Sequence, residues 1–309
     1  MTTRLVSLGY TGEGWLDVGY DYKKLMMPSC SLSFETTPMV SNSVFQFARE
    51  AHNIRRTKSA YINDVPKVNL SITFDPEHDF LKQIISFIVR RRNTKMRFKY
   101  MDKDNGIQWL FEEIYLSGLN FTVSEHTILT LSLSFFVLTD SIFYEWKELE
   151  MNKIGNNTIA PIRTPVGYYR WKLLYGQNRK EVPDVTEFNF GFAQEVKPQY
   201  ECSGKNSRTA PSANDILFGL PSITFGYSQT MHTKDGSIYD DVLTQMNQPR
   251  NLEDTRMHFQ LYDAKNKRYD EIFDITGVKE LSSTPSLVGN SFKVIRRECA
   301  VYGAMEVNY

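Results

Sequence analysis

Among the residues of this sequence with chemistry to offer are five histidines, three cysteines and adjacent acids such as Glu112-Glu113 and Asp240-Asp241, and their spacing decides how much they can do. His52, His78, His126, His232 and His258 stand singly, and none lies within metal-ligand spacing of another His or Cys. Each is expected as a surface or hydrogen-bonded histidine. Asp102-Lys103-Asp104-Asn105-Gly106 begins like a calcium loop, but its glycine comes one position early. Its Asn-Gly pair reads instead as a hairpin turn. In the Gly9, Gly12, Gly14 run Asp17 stands where the third glycine of a Gly-x-Gly-x-x-Gly turn would fall, and the preceding strand and apolar helix that a dinucleotide-binding turn needs are also lacking. Glu112 and Glu113 are strand neighbours and face opposite sides, so they cannot share a substrate proton. Asp240 and Asp241 fall on the polar side of an apolar stripe. Serines abound without a partnered base. No catalytic, cofactor or metal site is therefore expected, and the chain reads as a non-enzyme.

Composition points the same way. A length of 309 residues suits two ordinary domains, and 41% hydrophobic with 23% charged residues is a globular balance. Thirty-six basic residues meet thirty-six acidic ones, which argues against a nucleic-acid-binding surface or a polybasic membrane anchor. Aromatics at 13% favour strands. The N-terminal stretch has no apolar core of signal-peptide length, and the most apolar run, Leu129 to Leu138, is only a strand long. Cys30, Cys202 and Cys299, odd in number and far apart, fit folding in a reducing cytoplasm as small buried hydrophobes.

The elements that would carry these residues occur in two sets. Phe80, Leu81, Ile84, Ile85 and Ile88 have helical spacing, and Ile238, Tyr239, Val242, Leu243 and Met246 repeat it 158 positions later. Before each helix lies a proline-led alternating segment: Val68, Leu70, Ile72 and Phe74 after Pro66, and Ile223, Phe225 and Tyr227 after Pro221. Further upstream, Cys30, Leu32 and Phe34 match Phe188, Phe190 and Phe192. Downstream, Met96, Phe98 and Tyr100 match Met257, Phe259 and Leu261. A turn and a returning strand follow each set, ending near Gly118 or Gly277. The closing strands are Ile128 to Val137 and Phe292 to Val301, and Tyr144 to Met151 could form an amphipathic lead-out. The order predicts a mainly β chain with a tandem duplication, the units spanning 1–151 and 152–309 with 152–164 as linker. Each unit carries one flanking helix.

In both units the first two strands are joined by a long connection, Pro38 to Asp64 and Val196 to Leu217. Connections beyond about 15 residues tend to be functional. The first holds Arg49, Arg55, Arg56 and Lys58, and the second Lys197, Lys205 and Arg208, which suits reaching a neighbour. Arg90, Arg91 and Arg92 follow the first helix, where positive charge complements the helix dipole. An inter-subunit salt bridge or a pore-lining charge is their other role.

This order of elements, over Pro28 to Leu138 and Val185 to Val307, resembles the tail-tube fold of bacteriophages and contractile injection systems. The resemblance implies β-barrel or sandwich domains that join strand edges into rings and stack through their arms. It implies a homo-oligomer, a pseudo-hexameric trimer in preference to a hexamer, acting as tail hub, tube initiator or tail tube. Other tail or baseplate proteins would be its partners. Genome DNA would pass through the lumen without specific binding, in a virion assembled in the host cytoplasm, with no membrane insertion and no cofactor. The alternative is a non-enzymatic tandem β-sandwich binding carbohydrate or peptide, with Trp15, Trp109, Trp146 and Trp171 as a sugar platform.

Overall fold

The computed structural model describes residues 12–18, 22–35, 67–75, 78–102, 107–124, 129–138, 142–146, 170–200, 213–230, 256–263, 266–285 and 294–306. The first long connection, the linker and the second expected helix lie outside these residues. In the first half the elements are β1 (Gly12–Asp17), β2 (Tyr22–Lys24), β3 (Met26–Glu35), β4 (Lys67–Asp75), α1 (His78–Arg91), β5 (Met96–Asp102), β6 (Ile107–Ser124), β7 (Thr130–Val137) and β8 (Ile142–Trp146). In the second they are β9 (Trp171–Tyr175), β10 (Lys180–Glu181), β11 (Val185–Ala193), β12 (Val196–Tyr200), β13 (Ala213–Phe218), β14 (Ser222–Thr230), β15 (Arg256–Asp263), β16 (Arg268–Thr276), β17 (Val278–Pro285), β18 (Val294–Val301) and β19 (Met305–Glu306). Among the described residues the chain is mainly β, with large antiparallel sheets and one helix.

The helix forms where the apolar stripe predicts. Phe80, Leu81, Ile84, Ile85 and Ile88 are buried, Asp79 sits in the first turn, and Arg90 and Arg91 sit in the last. It stops at Thr94, whose backbone N–H and hydroxyl both donate to the Arg91 carbonyl at 2.8 Å. Alternation likewise gives β4 its buried Val68, Leu70, Ile72 and Phe74, and β7 its Leu131, Leu133 and Phe135.

The long strand β6 organises the molecule. Its first half lies between β5 and β8, and its second half between β7 and β11. The expected strand end at Gly118 is only a bulge, because the ladder to β7 resumes at Ser134 and runs on to Thr122. The second half does break at Gly277, which holds a φ of 67° between β16 and β17. A Cβ there would press on the Gly303 backbone. Part of the expected amphipathic lead-out is strand β8 instead, since Ile142 to Trp146 continue along the edge of β6 that β7 occupies.

Through β6 the two halves share one sheet. Eight strands follow in the order β3, β4, β7, β6, β11, β14, β18 and β17. The strands β10, β9, β15, β16 and β19 form a second sheet, and β12 with β13 a separate ribbon. One hydrophobic core runs through both halves. At its centre Phe121 of β6 lies 5.4 to 6.1 Å, centroid to centroid, from Phe188, Phe190, Phe259 and Phe273. Each such ring contributes about 1.5–3 kcal/mol by leaving water. Lys82 of α1 also pairs with Asp270 of β16 at 2.9 Å, a second bond between the halves.

Candidate assembly interface

The contact between β6 and β11 is a strand-edge junction made inside one chain. Seven residue pairs form it, from Glu187 opposite Ser124 to Ala193 opposite Gly118. Beneath it Phe188, Phe190 and Phe192 are buried against Leu119, Phe121 and Val123. Above it lies a different surface. Ser31, Ser71 and Ser134 are successive neighbours across β3, β4 and β7, and in the adjacent row Ser132, Asn120, Gly191 and Thr224 are successive neighbours across β7, β6, β11 and β14. This face is hydroxyl- and amide-rich from one side of the sheet to the other. Its charged side chains among those described, Glu187, Lys279, Arg296 and Glu298, balance in sign, and Arg296 lies 3.8 Å from Glu298.

At the sheet's two ends, β3 pairs only with β4, and β17 only with β18, among the described strands. Each carries a proline, Pro28 or Pro285, as sheet edges often do.

The expected arm from Val196 to Leu217 is not structureless at its base. Val196–Tyr200 and Ala213–Phe218 pair as an antiparallel ribbon, and Phe218 packs edge-on against Tyr115 of β6 at 5.9 Å. Leu217 and Leu220 stand exposed beside it, at 54% and 94%. Lys197 pairs with Glu195 at 2.6 Å, both well exposed. Arg90 and Arg91 are exposed at the end of α1, and Arg92 is half-buried. Just beyond them Asn93 accepts a hydrogen bond from Gln194 at 3.1 Å, so the arginine run and the root of the ribbon sit together. Arg49, Arg55, Arg56, Lys58, Lys205 and Arg208 lie outside the described residues. Of the tryptophans proposed as a sugar platform, Trp171 is buried against Phe259 and Trp109 stacks on Phe111.

One constellation corrects the expectation that His258 is a surface or hydrogen-bonded histidine, because it is buried and neither ring nitrogen makes a hydrogen bond. His258 of β15 is buried, and its Nδ1 lies 3.3 Å from Glu271 Oε2 and 3.5 Å from Asp274 Oδ1 of β16. Both carboxylates are also buried. Arg179 reaches Glu271 at 3.2 Å and Arg256 reaches Asp274 at 3.3 Å. Burial pushes Asp274 above the ordinary carboxylate value and Glu271 adds to the rise, while His258, Arg256 and Arg179 oppose it. The residues are 13 and 3 positions apart in sequence, so only hairpin register unites them. Counting pairs back from the turn at Asn266 places His258 opposite Phe273, and only the bulge between Phe259 and Gln260 brings Asp274 there.

No protein-family model matches the chain, and no curated protein matches its sequence.

Proposed function

We propose that this chain is a ring-forming structural protein of a phage-type tail or baseplate, acting as hub, tube initiator or tube. The carrying observation is the β6–β11 junction together with two open edges that match it. By pairing pattern, the first half maps onto the second. The pairs β3–β4, β4–β7, β6–β7, β5–β6, β1–β5 and β1–β2 correspond to β11–β14, β14–β18, β17–β18, β15–β16, β9–β15 and β9–β10. Even the bulge between Leu116 and Gly118 has its counterpart between Glu280 and Ser282. This agreement supports a tandem duplication. On that mapping β3 corresponds to β11, and β17 to the second half of β6.

The open edge β17 of one copy therefore presents to the edge β3 of the next what β6 presents to β11 within the chain. Carrying the internal register across places Glu35 opposite Ser282, Phe34 opposite Ser283, Ser33 opposite Thr284 and Leu32 opposite Pro285. Repetition of that contact closes a ring and removes every edge. Three copies supply twenty-four strands, which at about 4.8 Å spacing give a barrel roughly 37 Å across, widened further by strand tilt. The polar face becomes the lumen. Among the described residues it lacks the unbalanced cations that gain free energy by displacing phosphate counterions, so DNA can slide there without being held. The ribbon and the arginines beside it point to neighbouring layers.

Native mass spectrometry and electron microscopy of the purified protein and of the assembled particle test this reading. The expected result is a three-chain ring with a central hole. A chain that stays monomeric in both settings overturns it.

A further inference from the structure

We propose that His258, Glu271 and Asp274 form a binding site for a divalent transition cation of the Zn²⁺ type, which staples the β15–β16 hairpin. The site is independent of ring assembly and starts from a bulge. Residues three apart on a strand face opposite sides, so Glu271 and Asp274 should diverge. The ladder shifts register between Phe259 and Gln260, leaving Ile272 as the extra residue, with Glu271 opposite Gln260 and Asp274 opposite His258. That one insertion turns both carboxylates onto the histidine's face, and bulges commonly re-aim side chains in this way.

The spacing then separates a metal site from a hydrogen-bonded cluster. Neither ring nitrogen of His258 makes a hydrogen bond, although the side chain is only 1% exposed. A buried imidazole without partners is unfavourable, and the carboxylate oxygens at 3.3 and 3.5 Å lie beyond the ordinary range for an aligned N–H···O bond. Ligands about 2.0–2.1 Å from a tetrahedral ion stand roughly 3.3–3.4 Å from one another, which is the spacing around Nδ1. The three donor atoms all lie within 4.8 Å of one another. One nitrogen and two carboxylate oxygens suit Zn²⁺ and its neighbours better than Ca²⁺ or Mg²⁺, which favour all-oxygen shells. Arg179 and Arg256 steady the carboxylates from the solvent side. Their side chains are 50% and 37% exposed, so water screens much of their charge from the ion.

The test uses the intact protein, stripped with a chelator and titrated with ZnCl₂ against a chromophoric competitor, while thermal unfolding is followed in parallel. The expectation is one Zn²⁺ taken up per chain and a melting temperature raised by several degrees in excess metal. Co²⁺ in place of Zn²⁺ should give the intense visible bands of a tetrahedral site. Asp274→Asn keeps the side-chain shape and should weaken Zn²⁺ binding by more than the roughly 10–100-fold lost with an outer partner of a metal site. A wild-type protein that takes up no stoichiometric Zn²⁺ overturns the proposal. So does a folded Asp274→Asn protein, checked by circular dichroism, that binds Zn²⁺ as tightly as wild type.

Discussion

The β6–β11 junction and the outer edges β3 and β17 occupy corresponding places in one sheet but are built from different material. Under the junction Phe121 meets Phe188, Phe190, Phe259 and Phe273. At the outer edges the counterparts of Phe188, Phe190, Leu119 and Phe121 are Cys30, Leu32, Ser283 and Pro285, although Phe34 still matches Phe192. The proposed ring would therefore repeat the pairing geometry without the same aromatic packing beneath it. A junction made once, during folding, benefits from a permanent aromatic core. A seam that must form between separate chains, and only in the right order, is better kept smaller and blunted by proline.

The largest expected effect comes from the core beneath the internal junction. Phe121→Ala removes a ring that is 1% exposed and touches four others, and should cost about 3–5 kcal/mol in denaturant unfolding. A loss under about 1 kcal/mol, the level expected of a surface change, would mean the junction does not depend on its aromatic core. The outer seam calls for a gentler probe. Ser33 and Thr284 are exposed and stand opposite each other only in the proposed ring register. Ser33→Glu with Thr284→Glu should leave monomer stability unchanged but weaken each seam by about 0.2–1 kcal/mol or more through like charges. Ser33→Lys with Thr284→Glu should restore assembly, read by analytical ultracentrifugation. Equal behaviour of the two double variants would break the register.

Much of this scaffold was legible because half-buried strands and an amphipathic helix write their periods into sequence. Val68 to Phe74, Leu129 to Phe135 and the stripe from Phe80 to Ile88 lie where alternation and helical spacing placed them. The short partners β1, β2 and β10 were not legible, since few residues carry each pattern and Gly12 and Gly14 mask a strand as a loop. The continuity of β6 through Gly118 also escaped, because a glycine in a bulge and a glycine in a turn look alike until the partner strand is known. Of the charged residues singled out, Lys197 has a local partner in Glu195, whereas the cluster around His258 was hidden by distance along the chain. Lone histidines are judged by their sequence neighbours, but sheets choose neighbours by register.

The smallest expected effect asks whether the outer edges, although lightly built, are still backed by a dry core. Cys30 of β3 and Cys299 of β18 are both free thiols facing inward, and burial pushes each from the ordinary 9.0 up to about 12. Folded thiols therefore keep their protons where unfolded ones ionise. Their contribution to stability is present below 9.0 and is lost as pH rises from there toward about 12. Alkylation attacks the thiolate, so at mildly alkaline pH both cysteines should react far more slowly in native protein than in denaturant, read by peptide mass spectrometry. Slow Cys299 with Cys30 as fast as in denaturant would show that β3 separates from β4 in the free chain. The edge proposed to receive the next subunit would then be completed by assembly rather than presented in advance.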